Sequence, residues 1–240
     1  YLSSNIYGEY TPKLGDDHTL KLLAGWNLET KKYRGTTITR EGLTVPSKPS
    51  FGLMDGLTSD PVVSGYDWSY VGAFFRANYG YQGKYLAEFS CRYDGSSKFL
   101  PKNRWNFFWG ASAGWRITEE KFMENLRDYV NELKLRASYG EVGNQNGIGR
   151  YDGIQLYNYK SNSGALLGNS KGTYVESAGL VSTVRTWERI YNYNLGIDFG
   201  FFNNRFTGTF EIFKKKNDNM LVSRLHPGVL GGTAPSTNSG

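Results

Sequence analysis

Hydrophobic and polar residues alternate along several segments of this chain with a period of two, the period of a β-strand whose two faces meet different surroundings. The clearest segment runs from Trp105 to Trp115. Its odd-numbered positions hold only Trp, Phe and Ala, and its even-numbered positions hold Asn, Gly and Ser apart from Phe108. One face of this predicted strand is therefore apolar and has a tryptophan at each end.

The length of this segment matches a strand that crosses a membrane. At roughly 3.3 Å per residue and a tilt of about 45°, the path from Trp105 to Trp115 rises about 23 Å. The apolar band of an outer-membrane barrel is about 25 Å tall and has aromatic residues at both interfaces. A strand of a soluble sandwich rarely needs tryptophan at both ends, so the pattern favours a transmembrane β-strand.

The same alternation recurs in at least six further segments, and a weaker form covers residues 1–11. The six segments are 20–28, 74–81, 85–94, 133–139, 191–201 and 206–212. The dipeptide Asn203-Asn204 lies between the last two and is typical of a tight turn. The repetition predicts an all-β fold, an antiparallel transmembrane β-barrel with about eight strands in this chain.

The predicted connections alternate between short and long, as they do in outer-membrane barrels, where short turns are periplasmic and long loops are extracellular. The short ones are 12–18, 82–84 and 202–204, and the long or outer ones are 34–65, 95–104, 141–185 and 217–240. We expect ligand contacts in the long loops, because long loops are usually functional.

The connection near 118–130 is intermediate in length and predicts a short amphipathic helix on the periplasmic rim. Thr118 is a suitable N-cap, and Glu119 and Glu120 suit the first turn of a helix. The apolar face of this helix would consist of Phe122, Met123, Leu126 and Val130.

Composition is compatible with a barrel and gives little support to other classes. No run reaches 18 apolar residues, which excludes a transmembrane helix, but a barrel strand is only half apolar and escapes such a test. The formal net charge of +6 is spread along the chain, so no nucleic-acid partner is expected. The chain has no starting Met and no signal segment, and we expect it to be a piece of a longer protein.

Catalysis finds no support among the residues, and we predict neither an enzyme nor a cofactor or metal site. The two histidines, His18 and His226, fall in a turn and a terminal loop without acidic or cysteine companions at metal-ligand spacing. The glycine-rich stretch 140–149 lacks the Gly-Lys-Ser/Thr ending of a phosphate-binding loop. The single cysteine, Cys91, suits a small packing residue on an apolar face.

Charged residues occupy the strand positions opposite the apolar stripe, where a spanning strand tolerates charge only toward a wet or plugged lumen. The lumen-facing candidates are Arg76, Glu88, Arg92, Lys134, Arg136, Asp198 and Glu211. The lipid-facing candidates are Trp105, Phe107, Trp109, Trp115, Phe89, Tyr93, Tyr193, Ile197 and Phe199. The charged set either lines a path or a plug-contacting wall, or its members only solvate and pair with one another.

Four runs of residues carry a family resemblance. They are Arg-Ala-Asn-Tyr-Gly-Tyr-Gln-Gly-Lys-Tyr-Leu (76–86), Arg-Tyr-Asp-Gly-Ser-Ser-Lys-Phe (92–99), Gly-Trp-Arg-Ile-Thr-Glu-Glu-Lys-Phe-Met (114–123) and Leu-Lys-Leu-Arg-Ala-Ser-Tyr-Gly-Glu-Val-Gly-Asn (133–144). In this order they resemble the barrel of SusC/RagA-type TonB-dependent transporters, outer-membrane receptors of Bacteroidetes.

The resemblance implies a 22-stranded barrel around an N-terminal plug, with a SusD-like surface lipoprotein as a lid. It also implies import of oligosaccharide or peptide fragments, driven by contact with TonB through parts missing from this chain.

Two other architectures fit the alternation. A complete eight-stranded barrel acting as an outer-membrane anchor or adhesin predicts that the first and last strands pair with each other. A soluble β-rich module that binds glycans predicts tryptophans buried between two sheets.

Overall fold

The computed structural model describes residues 1–161, 163–177, 179–223, 227, 229 and 235–240, and its main element is one antiparallel sheet of eight strands. The strands of the chain are β1 (Leu2–Tyr10), β2 (His18–Thr37), β3 (Val62–Tyr81), β4 (Tyr85–Ser96), β5 (Trp105–Arg116), β6 (Val130–Asn144), β7 (Tyr157–Lys160), β8 (Leu166–Leu167), β9 (Ser170–Lys171), β10 (Tyr174–Ser177), β11 (Glu188–Phe201), β12 (Phe206–Asp218), β13 (Leu221–Val222) and β14 (Thr237–Asn238). The order in the main sheet is β1-β2-β3-β4-β5-β6-β11-β12.

The main sheet is an up-and-down meander in which each strand pairs with the next main strand along the chain. The strand predicted from the Trp105–Trp115 alternation is β5, and the other alternating segments, including the weak one at 1–11, lie in the other seven strands. The short strands β7 to β10 form two small hairpins inside the connection between β6 and β11. The all-β, antiparallel prediction is thus confirmed.

Several strands extend further than the alternation predicted. β2 and β3 each have 20 residues, and their pairing continues to Thr37 opposite Val62. The predicted loop 34–65 therefore shrinks to 38–61. Tyrosine, threonine and valine at this end of the hairpin favour extended backbone. The polar residues at this end of the hairpin remain exposed whether or not the two strands pair. β6 likewise extends to Asn144 and β12 to Asp218.

The short and long connections lie at opposite edges of the sheet, because consecutive strands run in opposite directions. One edge carries the connections 11–17, 82–84, 117–129 and 202–205, and we call it the short-turn edge. The other edge carries the connections 38–61, 97–104 and 145–187, and we call it the long-loop edge. Asn203 and Asn204 have φ of 56° and 58°, the left-handed conformation that asparagine tolerates in tight turns.

The connection 117–129 differs from its prediction. It contains two 3-10 helices, Ile117–Glu119 and Lys121–Leu126, separated by Glu120 in an extended conformation, and the predicted amphipathic helix is wrong. Met123 is buried, but Phe122 and Leu126 are 65% and 47% exposed, so the predicted apolar residues do not form one buried face. No described helix is long and apolar enough to cross a membrane.

The main sheet is a single open layer. In the described part of the chain β1 pairs only with β2 and β12 only with β11, so the first and last strands do not close a small barrel. Among the described residues no second large sheet covers either face, as a sandwich would require. A small buried apolar cluster of Phe99, Phe108, Ile148 and Trp187 involves residues of the long-loop edge.

Candidate functional site

The seven charged residues predicted for the lumen share one face of the main sheet. In an antiparallel pair, residues directly opposite each other project to the same side. Arg136 lies opposite Gly114 and Gly196, and Asp198 lies opposite Lys134 and Thr209. The same register links these positions with Glu88 and Arg76 through the serines of β4 and β5.

This charged face is concave. A cavity of about 700 Å³ lies against it, with Lys21 of β2, Asn78 of β3, Glu88 of β4, Ser112 of β5 and Arg136 of β6 in its lining. A single cavity that touches residues of six neighbouring strands, β2 to β6 and β11, indicates that the sheet bends around it. The charged and small polar residues therefore line the inside of a trough.

Most of the charged residues in this trough are paired with one another. Arg136 Nε lies 3.1 Å from Asp198 Oδ2, and a second guanidinium nitrogen of Arg136 contacts Glu211. Arg76 Nε lies 3.9 Å from Glu88 Oε1. These side chains are partly exposed, so water and salt screen each pair and it contributes little to stability. Pairing across strands, one of the two alternatives that the sequence left open, is therefore observed, and the lining of a path or of a plug-contacting wall stays a prediction.

Arg92 is held by a denser network near the long-loop edge. Its guanidinium donates two hydrogen bonds to the buried Asp94 carboxylate, at 3.0 and 3.2 Å, and two more to Asn27 Oδ1 and Tyr70 Oη, each at 3.1 Å. Glycine is required at position 72, because a Cβ there would lie 2.2 Å from Asp94 Oδ1. The network crosses β2, β3 and β4 and holds Arg92 in one orientation.

The opposite, convex face is aromatic and exposed. Seven of the nine predicted lipid-facing side chains are between 38% and 48% exposed, and they are Phe89, Tyr93, Trp105, Phe107, Trp109, Tyr193 and Ile197. Trp115 and Phe199 lie on the same face and are half-buried. Beside the aromatic residues of the short-turn edge this face carries small residues, with Ala113 opposite both Ala87 and Ala137.

Aromatic rings form rows across neighbouring strands near both edges of the convex face. At the short-turn edge His18, Tyr81, Tyr85 and Trp115 make successive ring contacts with centroids 4.9, 6.3 and 6.5 Å apart. Near the long-loop edge Tyr93 stacks on Trp105 at 5.2 Å. Such rows at both ends of an apolar band are typical of strands that cross a membrane.

Glu120 links the connection 117–129 to the short-turn row. Its Oε1 accepts hydrogen bonds from Tyr85 Oη at 2.6 Å and Trp115 Nε1 at 3.0 Å, and Lys84 Nζ lies 3.7 Å from its Oε2. The hydrogen bonds from Tyr85 and Trp115 hold the pKa of the Glu120 carboxyl below its usual range. The sequence analysis explained Glu120 by a helix dipole and missed this role, since its partners lie on β4 and β5.

His18 is not a solvated turn residue. It begins β2, and its Nδ1 lies 2.7 Å from Tyr79 Oη. The other histidine, His226, lies outside the described residues. Among the described residues no three His, Cys, Asp or Glu side chains converge as a metal site.

At the long-loop edge, the connection 145–187 packs against the concave face of the sheet. Trp187 is buried with its ring centroid 4.9 Å from that of Phe99 and 5.7 Å from that of Phe108, and its Nε1 donates to Arg104 O at 3.1 Å. Ser96 Oγ donates to Gln145 Oε1 at 2.6 Å. The sequence did not predict this buried packing of Trp187, because its partners lie more than 70 residues earlier in the chain.

Comparison with known proteins matches the architecture to one family. Residues 2–240 match the model of the TonB dependent receptor-like β-barrel. The TonB-dependent receptor SusC of Bacteroides thetaiotaomicron is 34% identical over 161 residues, which cover 64% of this chain and 15% of that protein. The TonB-dependent receptor P26 of Formosa agariphila is 28% identical over 97% of this chain and 23% of its own length.

Solved structures of similar proteins share the fold over nearly the whole chain. The RagAB peptide transporter superposes with a TM-score of 0.76 at 26% identity, covering 98% of this chain and 26% of the matched chain. The open-open state of the RagAB peptide importer gives a TM-score of 0.79 at 25% identity, over 98% of this chain and 25% of that one. The chain thus spans about a quarter or less of the relatives it matches.

Proposed function

Because the chain belongs to the TonB-dependent receptor β-barrel family, we propose that it forms wall strands of a larger outer-membrane barrel that imports nutrients. The observation that carries this proposal is one open, curved sheet with an exposed aromatic convex face and a charged concave face. The convex face contacts outer-membrane lipid, and the concave face lines the passage or contacts a plug. The short-turn edge is periplasmic and the long-loop edge extracellular.

Physical chemistry favours this orientation over the reverse. Ionised side chains near the middle of a bilayer cost several kcal/mol unless they face a wet or protein-filled space. Exposed apolar area gains about 25 cal/mol per Å² when it leaves water. The trough with Arg136 and Asp198 therefore belongs inside the barrel, and the face with Phe107 and Trp109 belongs against lipid.

We extend the proposal to partners and cargo. The intact receptor would be a barrel of 22 strands around a plug, covered outside by a SusD-like lipoprotein and opened by contact with TonB. Its cargo would be oligosaccharide or peptide fragments, and its action would be binding and gated passage without bond chemistry. Support comes from the similarity to SusC and to the RagAB peptide transporter.

Uptake and co-purification test this function. One strain of the host carries a tagged form of the intact receptor that contains this segment. In a second strain the gene of the receptor is deleted. We expect a surface lipoprotein to co-purify with the tagged receptor. We also expect the deletion strain to lose uptake of at least one labelled oligosaccharide or peptide that needs TonB in the parent strain. Unchanged TonB-dependent uptake of a panel of both cargo classes, with no lipoprotein co-purified, would contradict the proposal.

A further inference from the structure

A second cavity, of about 390 Å³, lies toward the long-loop edge and collects positive charge. Its lining is Lys31, Trp68, Lys98, Ile148, Gly149 and Arg150. Lys31 and Trp68 lie directly opposite each other on β2 and β3, whereas Lys98 and Arg150 come from two different connections. Trp68 alternates in step with Arg76 along β3, so the cavity opens on the concave side.

The three cations of this cavity are not neutralised by ion pairs among the described residues. Within the part of the chain that the structure describes, no carboxylate forms an ion pair with Lys31, Lys98 or Arg150. Instead, Arg150 Cζ lies 3.7 Å from the centroid of the Tyr66 ring, and Lys31 Nζ lies 5.7 Å from the same centroid. Cations gathered in this way are stabilised by an anion that approaches them.

The pKa of Lys98 agrees with a cluster in which positive charge exceeds negative charge. Burial and then the charge of Arg150 lower the pKa of the Lys98 ammonium, and Asp152 acts in the opposite direction. Asp152 itself is paired with Arg185. A bound anion would replace the missing countercharge.

We propose that this cavity binds the acidic group of an oligosaccharide, a carboxylate or sulfate carried by a sugar ring, with Trp68 packed against the ring. This inference rests on the proposed import function and narrows its cargo. The half-buried indole of Trp68 offers a flat apolar surface beside the cations. The backbones of Lys31 and Trp68 are already paired in the sheet, so an extended peptide finds no free strand edge at this point.

Binding to the purified intact receptor tests the site. The probes are a tetrasaccharide of galacturonic acid, the neutral galactose tetrasaccharide and a peptide of four glutamates. We expect the acidic tetrasaccharide to bind most tightly, and its affinity to fall as salt is raised. Lys98→Gln and Arg150→Gln should each weaken it by about tenfold, a loss of about 1.4 kcal/mol, because each removes one charge-assisted hydrogen bond to the anion.

Two further variants separate a site from a general charge effect. Lys102→Gln removes an exposed cation from the same connection as Lys98, outside the cavity lining, and should leave affinity unchanged. Arg150→Lys keeps the charge and should retain most of the affinity. All variants are first checked for the heat-dependent electrophoretic mobility of a folded barrel.

Several results would overturn the site. They are equal binding of the neutral tetrasaccharide, equal or tighter binding of the glutamate peptide, or equal affinities of the Arg150→Gln and Lys102→Gln variants. Uptake measured on the same receptor separates this inference from the import function. If the receptor imports other cargo but does not bind the acidic tetrasaccharide, the proposed site is contradicted and the import function is not. If it binds the acidic tetrasaccharide but imports nothing, the import function is contradicted and the proposed site is not.

Discussion

At the scale of single residues, position along the strand decides what an aromatic side chain does. Trp115 and Tyr85 end the convex face at the short-turn edge, where their rings stack and their polar atoms reach Glu120. Indole and phenol rings suit a membrane interface because one end is apolar and the other forms hydrogen bonds. Glu120 therefore joins the connection 117–129 to the aromatic row.

The Glu120 carboxylate should make stability depend on acid pH. Its pKa is lowered in the folded protein, so its contribution is fully present above the ordinary carboxyl value near 4.5 and is lost as pH falls through the lower folded value. Glu120→Gln removes this titration. The measurement is the free energy of unfolding of the intact receptor in detergent micelles at pH 7 and at several values below 4.5.

The matched control is Glu119→Gln, whose carboxylate is exposed and lies 3.4 Å from the exposed Arg127. We expect the Glu120 variant to lose less stability on acidification than the wild type, and the Glu119 variant to behave like the wild type. Equal acid sensitivity of all three proteins would show that the bonds from Tyr85 and Trp115 do not stabilise the ionised carboxylate.

At the scale of the element, each main strand separates two environments by alternation alone. Strand register is continuous through most of the sheet, with one shift between Gly200 and Phe201. A one-residue displacement moves a side chain from one face to the other. Cys91 lies on the convex face opposite Phe75 and Trp109, and its neighbour Ser90 lies on the concave face opposite Arg76 and Gly110.

This alternation predicts a sharp contrast between positions 90 and 91. A spin label on Cys91 in the intact receptor, with any cysteine outside this chain replaced, should be accessible to oxygen dissolved in lipid. Moving the thiol by one residue, in the double variant Cys91→Ser with Ser90→Cys, should abolish lipid contact. The measurement is oxygen accessibility by electron paramagnetic resonance in bilayers. Equal accessibility at the two positions, or a reversed order, would contradict the orientation of the sheet.

At the scale of the whole molecule, the sheet and its long connections form one structure at the long-loop edge. Trp187 packs on Phe99 and Phe108 immediately before β11 begins, and Asn103 Nδ2 donates to Arg185 O at 2.8 Å. The connection 145–187 is therefore anchored to the connection 97–104 and to the concave face of β5. Ile148 belongs to the same buried cluster and lines the cationic cavity together with Arg150.

Trp187→Ala should loosen this anchor without unfolding the sheet. Truncation of a buried aromatic ring costs about 3–5 kcal/mol, and here the cost falls on the packing between connections. Hydrogen exchange of the intact receptor should become faster in 97–104 and 145–187 and stay unchanged in β4 and β6. The control is Val184→Ala, an exposed residue of the same connection. Unchanged exchange in the Trp187 variant would mean that other contacts hold the loops.

The sequence by itself determined the strands and the identity of their faces. Alternation is a local property, because residues i and i+2 of a strand lie on the same face. A few neighbouring residues are therefore enough to assign each side chain to a face. For this reason Trp105–Trp115 became β5, and the seven charged candidates fell on one face. The exposed end of the β2–β3 hairpin has no such alternation, so its pairing escaped prediction.

Only the tertiary structure decided the curvature of the sheet, its open edges and the contacts between distant segments. Glu120 meets Tyr85, Trp187 meets Phe108, and Arg150 shares a cavity with Lys98. These partners are brought together by loops whose sequences carry no period. Pairing of strands and packing of loops depend on the balance of burial and hydrogen bonding over the whole chain, which a local pattern does not contain.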